Sequence, residues 1–265
     1  RQVPSFWVMN SGAAYLSGLA DAMVVDVGGT TTDVGQLKLG FPREANSVVK
    51  VGGVRTLFRM PDLLSIGLGG GSHVSLDPLK VGPVSVGYRL LQDAVAFGGK
   101  QLTTTDVAIA TGRLPIGDRA KVAHLDAETC RKVFAEAARL AEEAIDRMKT
   151  EAGDVPLIAV GGGAFLIPDK LPGVSQVIHV EHGDCANAVG AAIAQVSGEC
   201  DQIFRDMTRA EALAAAQGIA NDRAVAAGAD RNTLATIESE DMPLAYLPGN
   251  SVRVRVRVVG DVAAT

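Results

Sequence analysis

The stretch that most constrains this chain is "MVVDVGGTTTDVG", residues 23–35. Its apolar, β-branched start is typical of a buried strand, and residues 31–40 are predicted to return as a second strand across a Gly28–Gly29 turn. Asp26 and Asp33 then stand on either side of a loop of glycine and threonine. A glycine hairpin is common in itself, so a function for this one needs support from elsewhere in the chain.

The residue types of this hairpin suit a phosphate and its metal. Glycine exposes backbone N–H groups that no side chain blocks, and threonine hydroxyls add donors. Magnesium uses one or two carboxylates beside substrate phosphates, so Asp26 and Asp33 are the candidate metal-binding and catalytic residues. The alternative is a hairpin in which the glycines only turn the chain. The candidate phosphate ligands are Gly28, Gly29, Thr30, Thr31 and Thr32.

A second glycine-rich turn, within "AVGGGAF", lies in residues 155–168, where a predicted strand enters three consecutive glycines. Three glycines before a hydrophobic pair leave a flat backbone surface against which a purine ring can lie. Taken alone, this segment is better explained as a strand-to-helix turn. The two glycine turns each follow a strand, about 130 residues apart, and are expected to face each other across a cleft. The candidate adenosine contacts are Gly161, Gly162, Gly163 and Phe165.

The order of the elements predicts the fold class. Antiparallel strands come first and strand–helix units follow, which is typical of a mixed α/β sheet. The clearest helix runs from Asp126 to Lys149, with Asp126 as N-cap. In the last segment, residues 251–260, apolar and polar residues alternate, which predicts a strand with one solvent-exposed face. Further helices are predicted over residues 11–22, 86–99, 184–198 and 208–227, and from Thr105 or Asp106 to about Gly112.

Composition excludes several classes of protein. The net charge is −5, so no global basic field attracts nucleic acid or an anionic membrane. No apolar run is long enough to span a bilayer. The three cysteines form no CxxC, which favours reduced thiols in the cytoplasm. The chain begins at Arg1 without an initiator Met, so we expect a fragment of a longer protein.

Four other groups of residues are weaker candidates. The loop "GLGGGSHVSLD" is either a substrate-facing loop or a tight connection. "HVEHGD", residues 179–184, is better explained as polar residues at a strand end than as a metal site. Cys130 and Cys185 are expected to be buried structural thiols. The arginines of the last strand are expected to form a salt-bridged face rather than a phosphate-binding patch. The residues concerned are Gly69, Gly70, Gly71, Ser72 and His73 in the loop, and Arg253, Arg255 and Arg257 in the strand.

Several motifs together carry a family resemblance. "DVGGTTTDVG" and "AVGGGAFLIPDKLPG" resemble the second phosphate loop and the adenosine loop of the actin, sugar-kinase and heat-shock ATPase superfamily. Within it, the chain is similar to the hydantoinase A / 5-oxoprolinase family. The stretches that support this are "GLADAMVVDVGGTTTDVG", "SIGLGGGSHVSLDP", "VGPVSVG", "TDVAIATGRLPIGD" and "MPLAYLPGNSVRVRVRVVGDV".

The resemblance implies a ribonuclease H-like mixed sheet with flanking helices, forming one lobe of an actin-like ATPase. It places that lobe in residues 1–200, with an insertion at about 62–125, and a C-terminal helix and strand extension in 201–265. It implies ATP and Mg²⁺ as cofactors and a cyclic amide, such as a hydantoin or 5-oxoproline, as substrate. It also favours a substrate-facing loop over a tight connection at Gly69–His73. ATP phosphorylates the amide oxygen, and water then attacks the activated carbonyl.

Two departures from the family pattern shape these expectations. Family members carry an earlier Asp–Gly–Gly–Thr loop, whereas this chain has one such loop. The resemblance therefore implies a missing N-terminal half or a companion hydantoinase B-type subunit, and a chain that is inactive alone. Many members also carry Pro–Gly–Pro–Ala–Cys after the "VGP" segment, and this chain does not. The alternatives are a subunit of an ATP-using carboxylase and a non-catalytic nucleotide-sensing lobe.

Overall fold

The computed structural model describes residues 5–43, 49–51, 54–56, 62–193, 195–244 and 250–263. The chain divides into two compact units, residues 1–192 and 193–265, each with its own core. The helices of the first unit are α1 (Ser5–Ser17), α2 (Leu90–Asp93), α3 (Thr104–Ala110), α4 (Ala127–Met148) and α5 (Ala186–Ala192). Its strands are β1 (Ala22–Val27), β2 (Thr32–Lys38), β3 (Phe41–Pro42), β4 (Val49–Val51), β5 (Val54–Thr56), β6 (Leu63–Ile66), β7 (Ser72–Leu76), β8 (Leu79–Ser85), β9 (Val155–Val160) and β10 (Val174–His179).

The main sheet of the first unit is mixed, as the element order predicts. Its strand order is β10-β9-β1-β2-β3, and β6 also pairs with β2. The pairs that involve β2 are antiparallel, whereas β9 runs parallel to both β1 and β10. An antiparallel group followed by parallel strands is the ribonuclease H-like arrangement. The parallel pairing brings the carboxyl ends of β1 and β9 to the same edge of the sheet.

Alternating residues of β1 fill two cores on opposite faces of the sheet. Met23, Val25 and Val27 face the core that α4 covers. Val24 faces a smaller core with residues of α1 and α5. Both cores exclude water from β1, so the strand is a rigid base for the residues that follow it.

Helix α4 forms as the apolar periodicity predicts. Asp126 is its N-cap and accepts a hydrogen bond from the Thr129 N–H at 2.8 Å. On the wet face, Arg139 pairs with Glu136 and Glu143. The helix therefore covers one face of the sheet with a single amphipathic stripe. Its buried residues are Cys130, Val133, Ala137, Ala141, Ala144, Ile145 and Met148.

The other face is covered by α1 and α5, which approach each other at two glycines. A Cβ built on Gly12 would lie 2.0 Å from the Ala186 carbonyl oxygen, and one on Gly190 would lie 1.7 Å from the Val8 carbonyl oxygen. No side chain fits at either position. The small residues of α5 thus allow its backbone to pack closely against another helix.

Four predicted helices differ from the observed ones. The helix predicted over 11–22 is placed too far along the chain, because α1 spans Ser5–Ser17 and β1 begins at Ala22. The helix over 184–198 is wrong beyond Ala192, because β11 begins at Val196 and pairs with the last strand. Residues 86–99 form short 3₁₀ and α turns that end at Gly98, rather than one helix. The residue that caps α3 is Thr103, which forms a capping box with Asp106.

The second unit is a helix packed on a three-stranded antiparallel sheet. Strand β13 lies between the other two strands. Gly198 allows the helix to approach closely, since a Cβ there would lie 2.1 Å from the Ala220 carbonyl oxygen. The elements are β11 (Val196–Phe204), α6 (Arg209–Ala226), β12 (Ala235–Pro243) and β13 (Val252–Gly260), and the helix buries Ala212, Ala216, Ala220 and Ala224.

Candidate functional site

The hairpin turn, residues 28–31, joins β1 to β2 at the sheet edge. The Gly28 N–H donates to the Thr31 carbonyl at 2.9 Å and closes the turn. Gly29, Thr30 and Thr31 are exposed, and within the described ranges no group accepts a hydrogen bond from their N–H groups. Successive N–H groups that point to solvent in a turn form a concavity that can bind an anion.

Asp26 and Asp33 lie directly opposite each other across the hairpin. Directly opposed residues of an antiparallel pair have Cβ atoms about 4.5–5.5 Å apart and project from the same face. Burial raises the pKa of the half-buried Asp26, and the charge of Asp33 raises that pKa further. The Ser65 hydroxyl donates to the Asp33 carboxylate. Two like charges in this register repel each other unless a cation or a proton neutralises one of them.

The triple-glycine turn, Gly161–Gly163, follows β9 and contacts the end of β1. The Gly163 N–H donates to the Val27 carbonyl at 2.7 Å. A Cβ on Gly161 would lie 2.3 Å from Asp26 Oδ1, so glycine is required beside this carboxylate. The two glycine turns therefore lie side by side, rather than across a cleft. Gly162 is exposed and Phe165 is half-buried, which leaves both accessible to a ligand.

A third glycine segment, Leu68–Gly71, packs beneath the hairpin turn and is called here the supporting loop. The Gly70 N–H donates to the Gly28 carbonyl at 2.9 Å, and the Gly71 N–H donates to the Gly29 carbonyl at 2.7 Å. The hairpin carbonyls therefore point inward. Because the N–H of a trans peptide points opposite to its carbonyl, the N–H groups of Gly29 and Thr30 point away from the supporting loop.

Gly69, Gly70, Gly71 and Ser72 are buried, which changes their expected role. The sequence indicated that this segment lines a substrate cleft, but it supports the hairpin turn instead. Ser72 is fully buried, and its hydroxyl accepts a hydrogen bond from the Gly69 N–H at 2.8 Å. His73 is half-buried and its backbone bridges to Thr103.

Threonine hydroxyls fasten the supporting loop from two sides. Thr104 donates to the Gly69 and Gly70 carbonyls at 2.6 and 2.7 Å, and Thr105 donates to the Gly70 carbonyl at 2.7 Å. Thr32 donates to the Leu68 carbonyl at 2.7 Å. Thr32 is fully buried, so its expected contact with a phosphate is wrong.

Thr104 and Thr105 were missed as site residues because their sequence signal is that of a helix start. "TTTD" reads as a cap for α3, and Thr103 with Asp106 does form that cap. The buried Asp106 carboxylate also accepts a hydrogen bond from the Ala96 N–H at 2.7 Å. The two remaining threonines then face the supporting loop, a contact between segments some 35 residues apart.

The segment "HVEHGD" does not form a metal site. His179 lies 3.6 Å from Asp169, and His182 lies 3.8 Å from Glu181. No group of three or more metal-binding side chains occurs among the residues that the structure describes. Cys185 is exposed, contrary to expectation, because it lies in a 3₁₀ turn before α5 and not within the helix. Across the described ranges, no helix is long and apolar enough to cross a membrane.

The arginines of β13 form a salt-bridged face, as the sequence favours. Arg253 makes a bidentate pair with Asp201 at 2.7 and 2.8 Å. Arg255 contacts Asp201, Glu238 and Glu240 at 3.4–3.7 Å. These cations are thus occupied by carboxylates of the two neighbouring strands.

The sheet order and the strand directions define the fold class, a ribonuclease H-like mixed sheet with flanking helices. Within that class, the chain belongs to the hydantoinase/oxoprolinase family, whose profile matches residues 10–155, more than half of the chain. The match includes the hairpin turn, the supporting loop and the threonines that fasten it. No curated protein matches the sequence.

Two solved structures resemble the chain over almost its whole length. A nucleotide-free acetone carboxylase, studied for ATP-dependent acetone carboxylation, aligns with a TM-score of 0.65 and 17% identity over 97% of this chain and 48% of that one. An ATP-dependent caprolactamase from Pseudomonas jessenii aligns with a TM-score of 0.56 and 16% identity over 97% and 49%. The chain therefore spans about half of the length of these two proteins.

Proposed function

We propose that this chain forms one wall of a Mg·ATP site in an enzyme that opens a cyclic amide. The observation that carries the proposal is the hairpin turn, where three exposed residues, Gly29–Thr31, have N–H groups without a partner in the described ranges and adjoin two opposed carboxylates. Membership of the hydantoinase/oxoprolinase family supports amide chemistry. The likeness to an ATP-dependent caprolactamase supports a lactam as the substrate class.

The nucleotide is proposed to bind along the two glycine turns. Its terminal phosphates accept hydrogen bonds from the N–H groups of Gly29, Thr30 and Thr31, in a turn that the supporting loop holds by the Gly28 and Gly29 carbonyls. The adenosine lies against Gly162 and Phe165, the accessible residues of the triple-glycine turn. This placement follows from the parallel pairing of β1 with β9, which joins the two turns at one sheet edge.

Asp26 and Asp33 fit a magnesium ion by the chemistry of their donors. Magnesium at a nucleotide keeps several waters and takes one or two carboxylates, which is the number this hairpin offers. In the described part of the chain, no group donates a hydrogen bond to Asp26, so its oxygens are available. A bound Mg²⁺ would neutralise charge on the transferred phosphoryl group.

The protein's own residues supply orientation and proton transfer in the proposed reaction. The amide oxygen takes the γ-phosphoryl group and ADP leaves. Water adds to the activated carbon, the C–N bond breaks as nitrogen takes a proton, and a second water releases phosphate. The hairpin turn would orient the transferred phosphoryl group, and whichever carboxylate of the Asp26–Asp33 pair is not bound to the metal would accept a proton from the first water.

A second segment is proposed to complete the site, because the chain spans about half of the two structural relatives. It would be an N-terminal half of the same protein or a companion hydantoinase B-type subunit. The buried thiols Cys130 and Cys200 are unpaired, which accords with a cytoplasmic enzyme.

A carboxylase is the second candidate, because the acetone carboxylase structure gives the higher of the two TM-scores. In that case the activated oxygen would belong to bicarbonate or to the carbonyl substrate. A nucleotide-sensing lobe would bind ATP, and its ATP hydrolysis would depend neither on a cyclic amide nor on bicarbonate.

The experiment is ATP hydrolysis by the natural protein that contains this chain. Hydantoins, 5-oxoproline and lactams form one arm, and acetone with bicarbonate forms the other. Stimulation by a cyclic amide, with release of the opened product, is the expected result. Stimulation only by a ketone with bicarbonate would indicate the carboxylase. Slow ATP hydrolysis that neither set of substrates stimulates would indicate the sensing lobe.

Asp26→Asn should lower the stimulated turnover strongly. Asp154→Asn, at an exposed aspartate just before β9, is the matched control and should not change it.

A further inference from the structure

Three exposed apolar side chains lie close together in the sequence beside the hairpin turn. Val84 is 60% exposed, Tyr88 is 96% exposed and Leu91 is 63% exposed. Single exposed apolar residues need no explanation, but a group of them next to a candidate site does. The segment that carries them, residues 84–91, is called here the apolar rim.

The apolar rim is fixed to the hairpin turn by hydrogen bonds. The Ser85 hydroxyl donates to the Gly29 carbonyl at 3.2 Å and accepts from the Gly87 N–H at 3.0 Å. The Val86 N–H donates to the Gly71 carbonyl at 2.9 Å. These bonds tie the start of the rim to both the hairpin turn and the supporting loop.

The backbone at Gly87 reaches the threonine side of the turn. A Cβ on Gly87 would lie 3.8 Å from Thr30 Oγ1, and the φ of +56° favours glycine there. Tyr88 is the next residue, and consecutive Cα atoms are about 3.8 Å apart. The Tyr88 Cα therefore lies within about 10 Å of Thr30 Oγ1.

Tyr88 and Leu91 share one face of the short helical turns that begin at Gly87. Residues three apart on a helix are neighbours, so the two side chains form one surface. Arg89 makes a bidentate ion pair with Asp93 at 2.9 Å and holds these turns in shape. The rim is thus a preformed apolar surface at the phosphate end of the proposed nucleotide site.

We propose that the apolar rim, with Tyr88 at its centre, is the wall against which the ring of the cyclic amide lies. This inference rests on the proposed function. The phosphoryl acceptor must come within about 3–3.5 Å of the γ-phosphorus, and the rim is anchored directly to the turn that would hold that phosphate. The methylene groups of a lactam ring are apolar and match these side chains, so the rim sets the preferred ring size.

The test is Tyr88→Ala in the natural protein, assayed with unsubstituted lactams of five, six and seven ring atoms. One methylene in an apolar pocket changes kcat/KM by about 10–200-fold. We expect Tyr88→Ala to lose about 10-fold or more for the preferred ring and to flatten the preference among ring sizes. The KM for ATP should stay unchanged.

Two further variants serve as controls. Tyr88→Phe keeps the aromatic surface and should retain the wild-type preference. Tyr15→Ala removes another exposed tyrosine, on α1 at the opposite face of the sheet, and should change neither constant.

The outcomes separate the inference from the proposed function. If the wild-type protein shows no amide-stimulated ATP hydrolysis, both fall. If stimulation is present and Tyr88→Ala keeps the ring-size profile, the inference alone is overturned. An equal loss for every ring, with impaired assembly on size exclusion, would also overturn it, because the rim would then contact protein.

Discussion

The two units carry charged strand residues in opposite ways. In the first unit, Asp26 and Asp33 oppose each other with the same sign, at the end of a buried hairpin. In the second, Arg253 and Arg255 on β13 meet acids on both neighbouring strands. The second arrangement neutralises itself and stabilises a sheet face. The Asp26–Asp33 pair keeps uncompensated negative charge until a cation or a proton neutralises one carboxylate. Such carboxylate pairs are common at binding sites.

The largest effect should come from removing one of the unneutralised acids. Asp26→Asn in the natural protein is expected to lower ATP turnover by about 2–4 kcal/mol of transition-state stabilisation. Steady-state kinetics measure this loss. Asp201→Asn in the salt-bridged face is the contrasting variant and should leave ATP turnover unchanged. Equal losses of turnover in the two variants would contradict the distinction between a binding pair and a stabilising salt bridge.

The buried carboxylate of Asp106 should dominate stability near the site. It accepts hydrogen bonds from Thr103 and from the Ala96 N–H in a fully buried position. Asp106→Ala leaves these donors unsatisfied and should lower the free energy of unfolding by about 3 kcal/mol. Urea denaturation of this chain measures the change, and a loss below that of Asp118→Ala, an exposed cap, would contradict it.

The threonines behind the supporting loop should act on nucleotide affinity. Thr104→Val removes the donor to two buried carbonyls while keeping the side-chain shape. We expect the KM for ATP to rise by roughly 5–30-fold, the equivalent of about 1–2 kcal/mol. Thr104→Ser restores the hydroxyl and should restore the KM. A Thr104→Ser variant as weak as Thr104→Val would argue for packing alone.

Asp201 should stabilise the second unit modestly. The hydrogen bonds from Arg253 lower its pKa, and the charge of Arg253 lowers it further. Its stabilisation is therefore present above the ordinary aspartate pKa and is lost as pH falls through the lowered value. Asp201→Asn should cost about 0.5–1 kcal/mol at neutral pH and less in high salt. Thermal unfolding at two salt concentrations tests both statements.

Asp26 should have the opposite effect on stability. Its raised pKa means that the ionised form is disfavoured by the fold, so stability declines as pH rises through that value. Without Mg²⁺ or nucleotide, Asp26→Asn should stabilise this chain at neutral pH by about 0.5–2 kcal/mol and remove that decline. A lower melting temperature for Asp26→Asn at neutral pH would refute this.

The hairpin and its carboxylates were predictable because their signals are local. The apolar, β-branched run, the Gly28–Gly29 turn and the spacing of the two acids all lie within thirteen residues. The burial of Thr32 was not predictable, since it depends on Leu68 packing beneath the turn. For the same reason, the sequence assigned Gly69–Gly71 to a cleft rather than to a support.

The second unit shows a similar limit. The small residues over 184–198 are compatible with a helix that ends at Gly198, so the local pattern predicts one helix. Pairing of Val196–Phe204 with β13 overrides that preference and converts its end into a strand. Tertiary pairing decides such segments, whereas α4 and α6 carry their own caps and periodicity.

The parallel pairing of β1 with β9 also sets an order of events during synthesis. Val24 and Ile158 lie opposite each other although they are more than 130 positions apart along the chain. At about 5–20 residues per second, the hairpin leaves the ribosome on the order of ten seconds before its partner strand. During that interval the hydrophobic edge of β1 is unpaired, and such edges aggregate readily. The strand that completes the site is thus also the one that protects the nascent chain.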